Sequence, residues 1–547
     1  MIEARARPPL ATLSLALWVL GLLTACTVPP SDGKPATESA PITDTDTPND
    51  TDTTPIPDDA DADGIPRWDD CDDQDASVHP GAAEVPGDGV DQDCDCQDRA
   101  TIRVTDADVV WQGDVPYDHS GYRVLNVVHH GGVAVGLMMG ADQVPSGKDA
   151  GFGRVAYWQP GTAVAILDGS APKQGPFTEA MGTDGTSGVL GAAGESLLVV
   201  GRGYSDGADG TVSDPQNLNG NVDFFAIPEP GTVVPLEGVY ARLTGPYGMQ
   251  CGSSVAVLDL DGDGVDDVVF ACFGGADRGV YAILGPIGPG IHSIEEAIWW
   301  LPETPRPDSE AGTYPGLVPL RMSTGPPTLG IEATDASLWM PTLFIATVDT
   351  FRDGTPISDI GAKIFSPEDG GLNPSSAGDP NDDGDVDFLL GIPTGADRTG
   401  TLAVLRGPVT SAVDIRHVTP SYVGTCQYDW FGFSSLVGDF NGDGVDDLAV
   451  GAPADIYYSD PRVGKVFIFD GPGWDRTSRP PEEADLVLAG DLAWDSFGAN
   501  LAAGDIDHDG YDDLFVSAPL DSRDVWEAGR VYVFHGSPEG LTGAPPS

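Results

Sequence analysis

The stretch DFNGDGVDDLAVG (439–451) is an acidic turn that runs straight into a short apolar segment. The same design recurs as DLDGDGVDDVVFA (259–271), DPNDDGDVDFLLG (379–391) and DIDHDGYDDLFVS (505–517). Each copy is Asp, any, Asp/Asn, any, Asp, Gly, two residues, Asp, and the starts lie 120, 60 and 66 residues apart. An acidic loop returning at one period, with one beat missing, predicts a repeat architecture that holds calcium.

Calcium is a hard cation that takes about 6–8 oxygen ligands, which alternating carboxylates and a backbone carbonyl supply from one short loop. In the first copy Asp259, Asp261 and Asp263 ligate by side chain, Gly264 permits the turn, Val265 offers its carbonyl and Asp267 closes the shell. The corresponding sets are Asp379, Asn381, Asp383, Asp385 and Asp387, then Asp439, Asn441, Asp443, Val445 and Asp447. The last is Asp505, Asp507, Asp509, Tyr511 and Asp513. An EF-hand would need an acidic residue at loop position twelve and flanking helices. That position is Phe270, Leu390, Val450 or Val516, and the short apolar flanks read as strands. A solvated acidic turn is the plain alternative for one such loop, but four in register favour metal.

A second marker counts the units. Gly followed by a short alternating strand occurs at Gly153, Gly220, Gly279, Gly361, Gly400, Gly464 and Gly529. Seven copies fall at steps averaging about 63 residues, with one long step before Gly361 and one short step after it. A third marker aligns DVVWQGDVPYDHSG from Asp108 with DLVLAGDLAWDSFG from Asp485, 377 residues later. Several short strands per unit, joined by Gly, Pro and Asp turns, predict an all-β, seven-bladed propeller over 100–547, with calcium-binding hairpin loops. The segment 101–113 is expected to pair into the final blade and close the ring.

Asp495-Ser-Phe-Gly498, the following Asp loop and Ser517-Ala-Pro519 resemble an FG-GAP repeat of the integrin alpha-subunit propeller, as do Trp430-Phe-Gly432 with Gly451-Ala-Pro453 and, in part, Gly391-Ile-Pro393. The resemblance is strongest in units three, five, six and seven. Units one, two and four lack the Asp loop, with Val128–Gly132 and Ala192–Glu195 where it would fall in the first two. It implies calcium on one face and ligand binding by loops on the other. Those ligand-face loops contain Tyr117, Tyr428, Trp430, Tyr457, Tyr458, Trp494 and Trp526 with Arg278, Arg398 and Arg462. Aromatics there suit sugars or a protein partner, or else wedge between blades.

Ahead of the propeller, residues 1–26 read as an export signal: Arg5 and Arg7, an apolar run from Leu10 to Leu23, and then Cys26. Leu23-Thr-Ala-Cys26 resembles the bacterial lipoprotein signal, which implies lipidation of Cys26 and, with Thr27 following, the outer membrane or cell surface. An uncleaved anchor and ordinary secretion are the alternatives. Residues 27–57, rich in Thr, Pro and Asp, cannot bury enough surface to fold and read as a disordered linker. Residues 58–98 resemble the MopE-type metal-binding motif, and Asp59, Asp61 and Asp63 resemble a thrombospondin type-3 calcium loop. Pro86 stands where the motif's middle Cys is expected and Cys96 replaces a Gly, which leaves the pairing of Cys71, Cys94 and Cys96 open. Carboxylates suit calcium, while copper would draw on those cysteines and His79.

Asp and Glu number 86 against 26 Lys and Arg, a formal charge of −60. No basic stripe exists to neutralise phosphates, so nucleic acid is a poor partner. Clustered carboxylates repel, so folding is expected to depend on a divalent cation. Cys251 and Cys272 flank the first Asp hairpin and are expected to face each other across it as a disulfide, or else to be small buried apolar residues, whereas Cys426 has no evident partner. No nucleophile elbow, zincin, P-loop or dinucleotide motif occurs, and His129-His130 sits in a strand-like stretch. The reading is a calcium-binding surface lipoprotein that binds a protein or glycan. The alternatives are an extracellular enzyme acting on polysaccharide or lipid with the propeller as scaffold, or a structural surface-layer component.

Overall fold

The computed structural model describes residues 60–61, 74–79 and 82 and most of 102–541. The longer intervals outside the description are 113–118, 142–153, 169–183, 203–218, 303–315, 321–327, 336–339, 367–371, 379–384 and 455–462. Two compact units, 1–100 and 101–547, divide the chain. In the first, Asp75 closes a turn by accepting from the Ser77 N–H and hydroxyl at 3.1 and 2.7 Å. Asp61 and His79 are described there, while Cys26, Asp59, Asp63, Cys71, Cys94 and Cys96 lie outside the described residues, as does Cys426 in the second unit.

Seven sheets make up the second unit among the described residues. Blade 3 shows the plan: antiparallel strands Cys251–Leu258, Asp267–Cys272, Gly279–Ile283 and Trp299–Pro302, from the inside outward. The second strands, Asp267–Cys272, Asp387–Ile392, Asp447–Ala452 and Asp513–Ala518, are buried at every position. They read as unbroken apolar runs because both sheet faces are covered. In blade 3, Val268, Phe270 and Cys272 join Leu197, Val199 and Phe224 of blade 2 in one core. The alternate residues Val269 and Ala271 join Leu329, Ile331 and Phe344 of blade 4 in another. Period-two alternation therefore sorts each strand's side chains between its two neighbouring blades.

The first strands of successive blades touch one another in a closed cycle, with Leu125–His130 of blade 1 against Leu501–Gly504 of blade 7. Closure is made as the 377-residue alignment predicts. Val109–Gln112 pairs antiparallel with Arg530–Phe534, Val109 opposite Val533 and Gln112 opposite Arg530, and becomes the fourth strand of blade 7. The first part of 101–113 departs from the expectation: Ile102–Arg103 pairs parallel with Leu486–Ala489, the fourth strand of blade 6, rather than with the final blade. The same reach to the preceding blade recurs as Val233–Pro235 on Ala165–Asp168, Gly290–Ser293 on Ala241–Thr244, and Ala412–Asp414 on Lys363–Phe365. These parallel additions cover sheet edges that would otherwise stay open.

One marker sits on a different strand from the rest. Gly361 precedes Lys363–Phe365, which is the fourth strand of blade 4, whereas Gly220, Gly279, Gly400, Gly464 and Gly529 stand at the start of third strands and Gly153 lies outside the described residues. The third strand of blade 4 is Met340–Thr347, reached from Leu338-Trp-Met-Pro341 without a glycine and followed by the helix Val348–Asp353. Counted by third strands, blades 3, 4 and 5 begin at Gly279, Met340 and Thr401, so the spacing is even and the count stays seven. At Gly400 (φ 89°) glycine is required, because a Cβ there would lie 2.1 Å from the Phe431 carbonyl oxygen of the next blade's entry loop.

Cys251 and Cys272 are disulfide-bonded and stand opposite each other on the first two strands of blade 3. They lie at the far end of the hairpin from the Asp loop.

Candidate metal centre

Each Asp loop joins a blade's first strand to its second, so all four leave the ring at the same end of the blades. In blade 3 the loop is built around Asp259, whose Oδ1 accepts from the Gly262 and Asp263 N–H groups at 2.7 and 3.1 Å and whose Oδ2 accepts from Gly264 at 2.9 Å. Asp261 and Asp263 accept from the N–H groups two residues on, at Asp263 and Val265. Gly262 and Gly264 hold φ of 80° and 87°, which wraps the turn tightly enough to aim the carboxylates inward. Carboxylate oxygens of Asp259, Asp261 and Asp263 converge within 4.8 Å of one another, as do those of Asp505, Asp507 and Asp509. Oxygens of like charge held that close repel, and a hard dication is the species this donor set fits.

Blade 6 repeats the geometry with an amide at position three. Asp443 N–H donates to Asp439 and Asn441 at 3.1 and 2.9 Å, Gly444 N–H to Asp439 at 2.9 Å, and Val445 N–H to Asp443 at 2.8 Å. Blade 7 repeats it with Asp505 accepting from Asp509 and Gly510 at 3.0 and 3.1 Å and Asp509 accepting from Tyr511 at 3.0 Å. In blade 5, Asp379, Asn381 and Asp383 lie outside the described residues, and only Asp385 and Asp387 are placed.

The closing aspartates do a second job. Asp267, Asp387, Asp447 and Asp513 are buried, and each accepts from the N–H of a glycine just beyond its blade's third strand: Gly285, Gly407 and Gly471 at 2.8, 2.8 and 2.7 Å, and Gly536 at 3.2 Å. Three of them also accept from the residue after the first Asp of their loop, at Leu260, Phe440 and Ile506. They pin the Asp loop to the rest of the blade. Burial pushes the Asp267 carboxyl up to about 6 and that of Asp447 up to about 7, against the opposing pull of those backbone donors.

Two features escape a reading by pattern alone. Position eight is Asp266, Asp446 and Asp512 in three loops, and Asp512 joins two of them. Its Oδ2 accepts from the Asp439 N–H at 3.1 Å, while its own N–H donates to the Asp439 carbonyl at 3.0 Å. Ser537 N–H adds a bond to the Phe440 carbonyl at 3.1 Å, and the Tyr511 ring covers Gly442, where a Cβ would come within 2.4 Å of it. The blade 6 and blade 7 loops are thus one bonded assembly. The second feature is His535, whose Nδ1 lies 2.8 Å from Asp513 Oδ1 and 3.5 Å from Asp507 Oδ2. The hydrogen bond to Asp513 pushes the imidazole up to about 8. The only sequence signal for His535 is its place beside the glycine that holds the closing Asp.

At the opposite end of the blades, the loops entering each blade bond to the loops between second and third strands. Tyr428 N–H donates to the Arg398 carbonyl at 2.8 Å, Leu520 N–H to Asp495 at 3.1 Å and His119 N–H to Glu527 at 3.1 Å. Trp494 and Trp526 are 48% and 61% exposed there, and Tyr247 is 69% exposed. Trp430 lies stacked on Phe433 with centroids 5.8 Å apart, and Arg398 sits 5.6 Å from the Tyr428 ring centre. Tyr117, Tyr457, Tyr458 and Arg462 lie outside the described residues. Among the described residues, groups of three or more carboxylate, His or Cys donors occur only around the Asp loops.

Comparison with known proteins agrees with this layout. The FG-GAP repeat model matches residues 431–469 and 497–534, the first three strands of blades 6 and 7. A metal-binding motif model of the copper-binding MopE type matches residues 70–98. The chain is 30% identical to mouse integrin alpha-8 over 175 residues, 31% of this chain and 15% of that protein. It is 34% identical to Drosophila melanogaster integrin alpha-PS2 over 180 residues (31% and 12%) and 33% identical to human integrin alpha-IIb over 174 (30% and 15%). The chain therefore carries FG-GAP repeats and is similar to integrin alpha subunits, while it spans only 12–15% of the length of these relatives.

Proposed function

We propose that this FG-GAP propeller is a non-enzymatic binding module, loaded with calcium on one face and taking a protein or glycan ligand on the other. The supporting observation is the division of labour between the two ends of the blades. Carboxylates converge at one end, while exposed Trp494, Trp526 and Tyr247 stand at the other on hydrogen-bonded loops. Rigid amphipathic rings on fixed loops suit a binding surface, because little side-chain freedom is lost on contact. The Asp loops act as braces: they tie hairpin, third strand and neighbouring blade together without reaching the ligand face.

In this reading residues 1–26 export the chain, Cys26 carries lipid, 27–57 is the tether and 58–98 is a second, calcium-binding acidic module. The protein then works at a bacterial outer surface. No helix among the described residues is long and apolar enough to cross a membrane. The test is a screen of the calcium-loaded full chain against a glycan array and against isolated surface proteins. Loss of the strongest signal in Trp494→Ala and Trp526→Ala variants that melt normally is expected. A ligand indifferent to both variants would remove the opposite-face assignment.

A further inference from the structure

In blades 3, 5, 6 and 7 the residue just before the glycine that holds the closing Asp is Leu284, Arg406, Asp470 and His535. Leu284 has no donor, Arg406 is permanently protonated and Asp470 offers oxygen. Only His535 brings a nitrogen ligand to its loop. Its Nδ1 and carboxylate oxygens of Asp507 and Asp513 lie within 4.8 Å of one another. The separations of 2.8 and 3.5 Å from Nδ1 to Asp513 Oδ1 and Asp507 Oδ2 match neighbouring ligands on one ion. Two metal–ligand bonds of about 2.1 Å set at a right angle put their donors about 3 Å apart.

The three donors are also held in place. Asp513 is fully buried, with Ile506 N–H on one oxygen at 2.9 Å and Gly536 N–H on the other at 3.2 Å. The His535 backbone N–H donates to Asp108 Oδ2 at 2.9 Å, which ties the His535 backbone to the closing segment of the ring. Ligand orientation by such outer contacts is what metal sites rely on for affinity.

We propose that the blade 7 loop is a mixed carboxylate–imidazole site, in which Asp507, Asp513 and His535 hold a first-row transition dication of the Mn2+ or Zn2+ kind. The inference rests on the reading of the Asp loops as cation sites, and it separates blade 7 from its sisters. Imidazole favours transition metals over calcium, whereas all-oxygen loops favour hard cations. The ring would then carry two kinds of metal, calcium in blade 3 and a transition ion beside the chain's closure point.

The experiment uses the full chain loaded with Mn2+ in the presence of excess Ca2+, read by pulsed electron paramagnetic resonance. The expected result is a Mn2+ site that Ca2+ does not empty and that shows 14N coupling from one imidazole. His535→Gln should abolish that coupling and weaken Mn2+ by about 10-fold or more. His79→Gln, in the N-terminal module, should leave the signal intact. Absence of 14N coupling in the parent protein, or its survival in His535→Gln, overturns the proposal and makes His535 a charged partner of Asp513 only. Calcium binding at blade 3, read in parallel by calorimetry with Asp261→Asn as its control, tells that failure apart from a failure of the cation reading altogether.

Discussion

Asp512→Ala should weaken calcium in the loop of blade 6, although Asp512 belongs to the loop of blade 7. The side chain accepts from the N–H of Asp439, the first residue of the neighbouring loop, at 3.1 Å. A hydrogen bond to a charged group contributes about 1.5–3 kcal/mol net, and partial exposure of Asp512 puts the loss at the lower end. At 1.4 kcal/mol per tenfold, blade 6 affinity should fall about 10-fold. Loss of a negative charge also weakens a cation site, so the decisive comparison is Asp512→Asn, which removes the charge but keeps an oxygen acceptor. The asparagine variant should lose only about 2–3-fold, as expected for one screened charge in a half-exposed loop. The structure supplies a local reporter. Trp474 Nε1 donates to the Asp446 carbonyl at 2.7 Å, which places an indole beside this loop to sensitise Tb3+ luminescence. Equal losses in the two variants would reduce the coupling to simple electrostatics, and no loss in either would refute it.

Other outcomes can be stated more briefly. Chelation with EDTA at neutral pH should lower the melting temperature sharply, and an unchanged melt would remove the metal brace. In EDTA the pH dependence is set by groups whose folded values are raised: Asp267 to about 6, Asp447 to about 7 and His535 to about 8. Each favours the protonated form in the fold, so this stability is complete below the unfolded values near 3.8 and 6.5 and is lost as pH rises through the folded ones. The metal-free protein should therefore melt higher at pH 5 than at pH 8, and saturating Ca2+ should reverse that order because it needs the carboxylates ionised. Cys251→Ser removes a crosslink over a 21-residue separation and should cost about 3 kcal/mol, measured by denaturant unfolding; a loss under 1 kcal/mol would contradict it. Cys26→Ser should move the protein from membranes to the soluble fraction, and continued membrane binding would point to another anchor.

The repeat was legible because its signal lies within contiguous residues. An Asp-Gly turn running into an apolar strand is local chemistry, and four copies at one period set both the loop and the propeller. The 377-residue alignment placed the closing strand for the same reason, since Asp108 and Asp485 immediately precede equivalent fourth strands. The glycine-and-strand marker erred at Gly361 because any short alternating strand after a glycine carries it, and only pairing partners distinguish a third strand from a fourth.

Sequence by itself determined the blade count, the Asp loops and the direction of closure, because backbone turns and strand alternation are written in neighbouring residues. Tertiary structure alone decided that Asp512 belongs to two loops, that His535 faces Asp507 and Asp513, and that Trp494 and Trp526 stay exposed rather than wedge between blades. The physical reason is distance along the chain. Asp512 meets Asp439 across 73 residues, and a contact between neighbouring blades leaves no local pattern to read.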